Sequence, residues 1–134
     1  LNNEEQIFLF LFVYMVRGPK PGDVVVFLPN GNEKSHYYVR RVIAGPGDTV
    51  KIDDGAVYVN GKHYSEKTTV ASIEDPGVAE DEVKLGENEY FVLGDNRNNS
   101  EDSRMANIGN VKKDYIVGKA WFHFRNITDM GMIH

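Results

Sequence analysis

Short apolar runs separated by tight-turn residues constrain this chain to a mostly β fold. Residues 50–52 and 56–59 flank Asp53-Asp54-Gly55, a spacing typical of a β-hairpin. We find no internal repeat and no long amphipathic helix pattern. Residues 66–89 are acidic and irregular, which predicts a mobile lobe or a long connection. Further strands are predicted at residues 24–28, 37–43, 90–93 and 116–124.

The composition is that of a folded protein and excludes several classes of function. Hydrophobic residues make up 41% and charged residues 26% of the 134, as in soluble globular domains. The net charge of -5, with no basic stretch interleaved with aromatic residues, argues against a nucleic-acid surface. The absence of cysteine excludes disulfides and thiol catalysis. No two histidines have the i, i+4 spacing of metal ligands, so we expect no metal and no other cofactor.

A dense polar stretch, residues 94–104, directly follows the predicted strand at 90–93. Gly94-Asp95-Asn96 is typical of a tight turn, and Asp102 and Arg104 are close enough in sequence to pair across a short loop. Taken alone, the stretch is either a functional site or a solvated turn.

The apolar run at residues 7–16 is ten residues long, whereas a transmembrane helix needs about 20. Its aromatic and β-branched residues favour a strand, either buried on both faces or resting on lipid. An ordinary core strand explains the run equally well.

Four segments, in this order, resemble the type I signal peptidases, membrane-anchored serine proteases that remove signal peptides from exported proteins. The family motif G-D-x-V-V-F matches residues 22–27, and K-R-V-I-G-x-P-G-D is similar to residues 40–48. The box G-D-N-x-x-x-S-x-D-S-R matches residues 94–104, and I-V-G-K-A-x-F matches residues 116–122. The resemblance implies antiparallel coiled sheets that form a catalytic-type core, residues 1–51 and 90–134, with a smaller inserted β lobe at 52–89.

The resemblance also implies a role for each matching residue. Arg40 occupies the position of the general-base lysine, and Ser100 matches the hydroxyl that orients the base. Gly18 would be a neighbour of the oxyanion hole. The remaining residues of the box would support the site: Gly94, Asp95 and Asn96 in the turn, Asp102 and Arg104 as an ion pair, and Ser103 as a cap or a packing residue.

The catalytic dyad of the family is absent from the sequence. The serine box would fall at the junction of Gly18 and Pro19, where there is no serine. A lysine serves as a base once burial lowers its pKa, but a guanidinium stays protonated and has no lone pair to offer. We therefore expect no peptide hydrolysis by the family mechanism. Three explanations remain open: a natural pseudoenzyme, an engineered Arg40, or a segment with the serine missing between Gly18 and Pro19.

Substrate recognition can persist without catalysis. In the family, the extended cleavage region of a signal peptide adds a strand beside the lysine strand, which corresponds here to Tyr37, Tyr38 and Val39. Val16 and Val39 are candidates for a shallow apolar pocket, or are plain core positions.

Two functional classes follow from the resemblance. One is a signal peptidase I at the outer face of the cytoplasmic membrane, with signal peptides and the membrane surface as partners. The other is a catalytically inactive binding or assembly factor, for example for surface pili. The polar residues 1–6 are unlike a membrane anchor, so we expect a soluble version from which the anchor has been removed.

Overall fold

The computed structural model describes residues 3–4, 18–66 and 70–119, which contain two antiparallel β-sheets. The five-stranded sheet has the order β8-β7-β2-β1-β9, and the four-stranded sheet has the order β5-β4-β3-β6. Every strand pairing within the described residues is antiparallel, so the predicted mostly β, antiparallel fold is confirmed. The strands are β1 Val24–Phe27, β2 Tyr38–Ala44, β3 Thr49–Asp53, β4 Ala56–Val59, β5 Lys62–His63, β6 Val83–Lys84, β7 Glu89–Leu93, β8 Val111–Lys112 and β9 Ile116–Lys119. Short 3-10 turns occupy Pro29–Gly31, Gly77–Glu80 and Lys113–Tyr115.

The predicted hairpin forms between β3 and β4, with Asp53 paired to Ala56. Asp54 and Gly55 both have positive φ, 49° and 80°, as the mirror-image two-residue turns of hairpins require. Residues 60 and 61 repeat this geometry and lead into the additional short strand β5. Turn chemistry therefore sets the register of this sheet.

The central strand β2 is paired unequally on its two sides. On one side the whole of β1 pairs with the first part of β2, from Val24 with Arg41 to Phe27 with Tyr38. On the other side β7 pairs only from Ala44 to Arg41, which lies opposite Leu93. No described strand pairs with this second side at Tyr38 and Val39, because the chain leaves β7 at the start of the polar loop.

Two apolar clusters hold the sheets together. One joins β2 and β7 of the five-stranded sheet to β3 and β4 of the four-stranded sheet, which buries the face shared by the two sheets. Its fully buried members include Ile43, Val50, Leu85, Phe91 and Leu93. The other cluster covers the opposite face of the five-stranded sheet and includes Val25, Phe27, Val42, Val92 and Val111.

The structure tests some of the predictions on chain organisation and leaves others untested. The four-stranded sheet is built from residues 49–84, between β2 and β7 of the other sheet. The division at residues 52–89 stays a prediction, and β3 crosses its first boundary. The described part of residues 66–89 contains the Gly77–Glu80 turn and the short strand β6. The predicted strand at 116–124 is observed to residue 119, and the apolar run at 7–16 lies outside the described residues.

Candidate functional site

The polar loop of residues 94–104 is held by the carboxylate of Asp102, which is fully buried. Its Oδ1 accepts hydrogen bonds from the Arg104 backbone N–H at 3.2 Å and from Nε at 2.9 Å. Its Oδ2 accepts from Arg104 Nη2 at 2.9 Å and from the Gly94 N–H at 3.0 Å. One carboxylate thus neutralises Arg104 and closes the loop onto the end of β7.

The hydroxyl of Ser103 continues the hydrogen bonding of β7. The Val92 N–H donates to Ser103 Oγ at 2.9 Å, and the Ser103 N–H donates to the Val92 carbonyl at 3.1 Å. Because both bonds are buried, Ser103 serves as a backbone partner for the strand.

Asp95 ties the loop to β2 through a bidentate pair with Arg41. Arg41 Nε and Nη2 each donate to a carboxylate oxygen of Asp95 at 2.9 Å. These hydrogen bonds lower the pKa of Asp95, while partial burial opposes them. The turn after Asp95 is closed by the Asn99 N–H, which donates to the Asn96 carbonyl.

Arg97 is a structural residue that the sequence did not single out. Its side chain is 1% exposed, and Nε donates to the Gly94 carbonyl at 2.9 Å. Nη1 donates to Glu66 at 2.8 Å, and Nη2 pairs with the other oxygen of the same carboxylate. Since Glu66 is one of many acids in an irregular segment, no sequence signal distinguishes it as the partner.

Arg40 lies on β2 at 8% exposure and contacts backbone carbonyls instead of a carboxylate. Nε donates to the Glu101 carbonyl and Nη1 to the Val39 carbonyl, both at 2.8 Å. The guanidinium carbon lies 4.9 Å from the centroid of the Tyr38 ring. Within residues 18–66 and 70–119, no ion pair includes Arg40. Burial lowers the pKa of Arg40, and the negative charge of Asp102 opposes this.

Ser100 Oγ is the one buried side-chain oxygen or nitrogen of the described residues without a hydrogen-bond partner. A Cβ added to Gly94 would overlap the Ser100 hydroxyl and would lie 3.4 Å from Cδ of Arg40. The Ser100 hydroxyl and Cδ of Arg40 therefore both lie close to the position that a Cβ at residue 94 would occupy, and a side chain there would overlap Ser100. The structure brings together the residue at the base position and the hydroxyl predicted to orient it.

The other predicted site residues lie at varying distances from this centre. Tyr38 Oη donates to Glu101 Oε2 at 3.2 Å, Val39 is buried beside Arg40, and Tyr37 is exposed. Gly18 has different neighbours, since a Cβ there would be 2.7 Å from Tyr90 Oη and 3.8 Å from Cε of Lys113. Its assignment to an oxyanion hole stays a prediction. Val16 lies outside the described residues.

A cleft of about 450 Å³ opens on the side of the loop that faces the Gly77–Glu80 turn. It is lined by Arg97, Ser100 and Arg104 on the loop and by Glu74 and Asp75 opposite. Nowhere in the described ranges do three potential metal-ligating side chains converge. The same ranges contain no helix that is long and apolar enough to cross a bilayer.

The chain is similar in sequence to proteins of one known family. Residues 1–125 match the family model described as signal peptidase, peptidase S26. The chain is 36% identical over 124 residues to a probable signal peptidase I-2 from a Synechocystis species, which covers 90% of this chain and 55% of that protein. It is 38% identical over 125 residues to signal peptidase I P of Bacillus subtilis subsp. natto, covering 88% of this chain and 66% of that protein.

A crystal structure of a signal peptidase I from Enterococcus faecalis V583 has a similar fold. The TM-score is 0.57 at 28% identity, and the match covers 77% of this chain and 97% of that chain. The chain thus spans between about half and two thirds of the length of the two sequence relatives, and nearly all of the solved one.

Proposed function

The chain belongs to the signal peptidase family, peptidase S26, and from this membership we propose that it binds signal peptides of exported preproteins without cleaving them by a serine–lysine mechanism. The proposed location is the outer face of the cytoplasmic membrane. The proposed division is a catalytic-type core of residues 1–51 and 90–134 with a lobe at 52–89. The proposal rests on the arginine, in place of a lysine, at position 40 close to Ser100.

A general base for a serine needs a lone pair at neutral pH. The guanidinium of Arg40 keeps its proton, and two of its nitrogens already donate to the carbonyls of Glu101 and Val39. Although burial lowers the pKa of Arg40, an arginine in a protein remains charged. The hydroxyl of Ser100 is left without the amine that it would orient.

An extended peptide can still add to β2 on the side away from β1. The Val42 N–H donates to the Asp23 carbonyl, and the Val42 carbonyl accepts from Gly22, so the backbone groups of Val42 point toward β1. Backbone groups of successive residues point to opposite sides of a strand, so those of Val39, three residues from Val42, point away from β1. There they meet no described strand, which supports strand addition beside Tyr38 and Val39.

The alternative function is a non-catalytic factor that binds or assembles surface proteins such as pili. It is favoured by the same arginine, because a protein under selection for binding alone has no need of a base. Both functions would use the side of β2 that no described strand covers at Tyr38 and Val39, and they differ in whether a lysine at position 40 together with a complete serine box restores cleavage.

The test compares turnover and binding of a fluorogenic peptide that carries a signal-peptide cleavage region. We expect the protein to bind the peptide without turnover, and an exposed control, Lys62→Gln, to behave identically. Turnover by Arg40→Lys combined with a complete serine box inserted between Gly18 and Pro19 would favour a signal peptidase I that lacks its dyad, whereas binding without turnover by that variant would favour the assembly factor. Cleavage by the unmodified protein that survived Arg40→Ala would overturn the proposal.

A further inference from the structure

We infer that Arg40 and Ser100 form a binding site for the C-terminal carboxylate of an extended peptide. The inference rests on the proposed function, because the peptide would lie along the open edge of β2. It goes beyond that function by naming the end of the peptide that is recognised and the groups that recognise it.

The first support is the lack of a counterion at Arg40. A buried cation is costly unless an anion or several hydrogen bonds compensate its charge. Arg40 donates to only two carbonyls, and no carboxylate forms an ion pair with it among the described residues. Among the described residues Nη2 makes no hydrogen bond, and it is not one of the buried atoms that lack a partner, so part of its surface is accessible.

The neighbouring carboxylates are already engaged by other groups. Both oxygens of Asp102 accept from Arg104, and one also accepts from the Gly94 N–H. The side chain of Glu101 accepts from Tyr38 Oη. The counterion that Arg40 lacks must therefore come from outside this loop.

The second support is the orphan hydroxyl of Ser100. Its oxygen is buried and has no partner, and both this oxygen and Cδ of Arg40 lie within 3.4 Å of the position that a Cβ on Gly94 would occupy. A hydroxyl donor close to a side chain that carries a guanidinium donor complements a group with two acceptor oxygens. A carboxylate is such a group, and hydrogen bonds from a cation to a carboxylate are among the strong ones in proteins.

The carboxylate is best supplied by a peptide because of where the site lies on β2. Residues added along Tyr38 and Val39 would extend toward Arg40, whose Nη1 already contacts the Val39 carbonyl. A chain that ends there places its terminal carboxylate next to the free Nη2. A signal peptide released by cleavage carries such a terminus, as does any other peptide product with small terminal residues.

The experiment measures binding of two alanine-rich hexapeptides by calorimetry at pH 7, one with a free C-terminal carboxylate and one with a C-terminal amide. We expect the acid to bind at least about tenfold more tightly than the amide, as a charge-assisted hydrogen bond implies. Arg40→Gln should remove this preference and Ser100→Ala should reduce it. Lys62→Gln, a change at an exposed cation on β5, should preserve it.

Each outcome of the binding experiment supports or contradicts the inference. Equal affinity for acid and amide overturns the inference and leaves strand addition intact, whereas no binding of either peptide overturns the proposed function as well. Acetate that binds as tightly as the peptide acid would show a site for small carboxylates and overturn the peptide assignment. If Arg40→Gln fails to fold, an undiminished preference in Ser100→Ala would still contradict the inference.

Discussion

Two kinds of arginine occur within this one site. Arg41, Arg97 and Arg104 pair with the carboxylates of Asp95, Glu66 and Asp102, respectively. The first two pairs tie the polar loop to β2 and to residue 66, and the third lies within the loop. Arg40, the neighbour of Arg41 on β2, donates only to backbone carbonyls among the described residues and lies against the Tyr38 ring.

The difference shows which charges are structural. An arginine with a matched carboxylate cannot be removed without leaving that carboxylate unpaired, so it belongs to the scaffold. Removal of Arg40 would leave no paired carboxylate behind and would free only the carbonyls of Glu101 and Val39. Among the described residues, the one buried side-chain polar atom without a partner is Ser100 Oγ, which lies in this same loop.

The largest difference in stability is expected when one arginine of each kind is replaced by methionine. Arg104→Met should lower the free energy of unfolding by about 3–5 kcal/mol, because it leaves the buried carboxylate of Asp102 without its cation. Arg40→Met should change it by no more than about 1 kcal/mol, since two lost hydrogen bonds offset a relieved charge. Urea denaturation at pH 7 measures both, and equal losses would refute the distinction.

A smaller effect is expected at the pair that joins the loop to residue 66, which follows β5. Glu66→Gln should lower the free energy of unfolding by about 1–3 kcal/mol, because it removes the negative charge and one of the two acceptor oxygens opposite the buried Arg97. Hydrogen exchange should quicken at the Glu74 amide, which donates to the neighbouring Asn98. Unchanged exchange at Glu74 would indicate that Glu66 does not hold this segment to the loop.

The smallest effect is expected at the exposed pair of Arg41 and Asp95, whose side chains are 31% and 51% exposed. The hydrogen bonds from Arg41 lower the folded-state pKa of Asp95 below its unfolded value. The stabilisation is therefore fully present above the unfolded pKa and is lost as the pH falls through the folded one. For an exposed pair it amounts to about 0.2–1 kcal/mol.

Asp95→Asn tests this pH dependence when its unfolding curves are compared with those of the unmodified protein. The two proteins should differ at pH 7 and converge as the pH falls below about 4, the ordinary range of an aspartate. A difference that persists undiminished in acid would mean that Asp95 acts through packing rather than charge.

Local sequence patterns predicted much of this molecule. The hairpin about residues 53–56 followed from turn chemistry, and the strands β1, β2 and β7 lie within one or two residues of their predicted bounds. The polar loop was also visible, since Asp102 and Arg104 are two residues apart. These features depend on neighbours in sequence, and short-range sterics and hydrogen bonding decide them.

The β class, the turns, the family motifs, the pair of Asp102 and Arg104 and the arginine at the base position all follow from local sequence. The acids that meet Arg97 and Arg41 follow only from the tertiary structure. Glu66 reaches Arg97 across 31 positions, and Arg41 reaches Asp95 across 54, because the packed sheets bring distant segments together. Arg40 forms no ion pair among the described residues for the same reason, since the nearby carboxylates of Asp102 and Glu101 are hydrogen-bonded to other groups once the chain has folded.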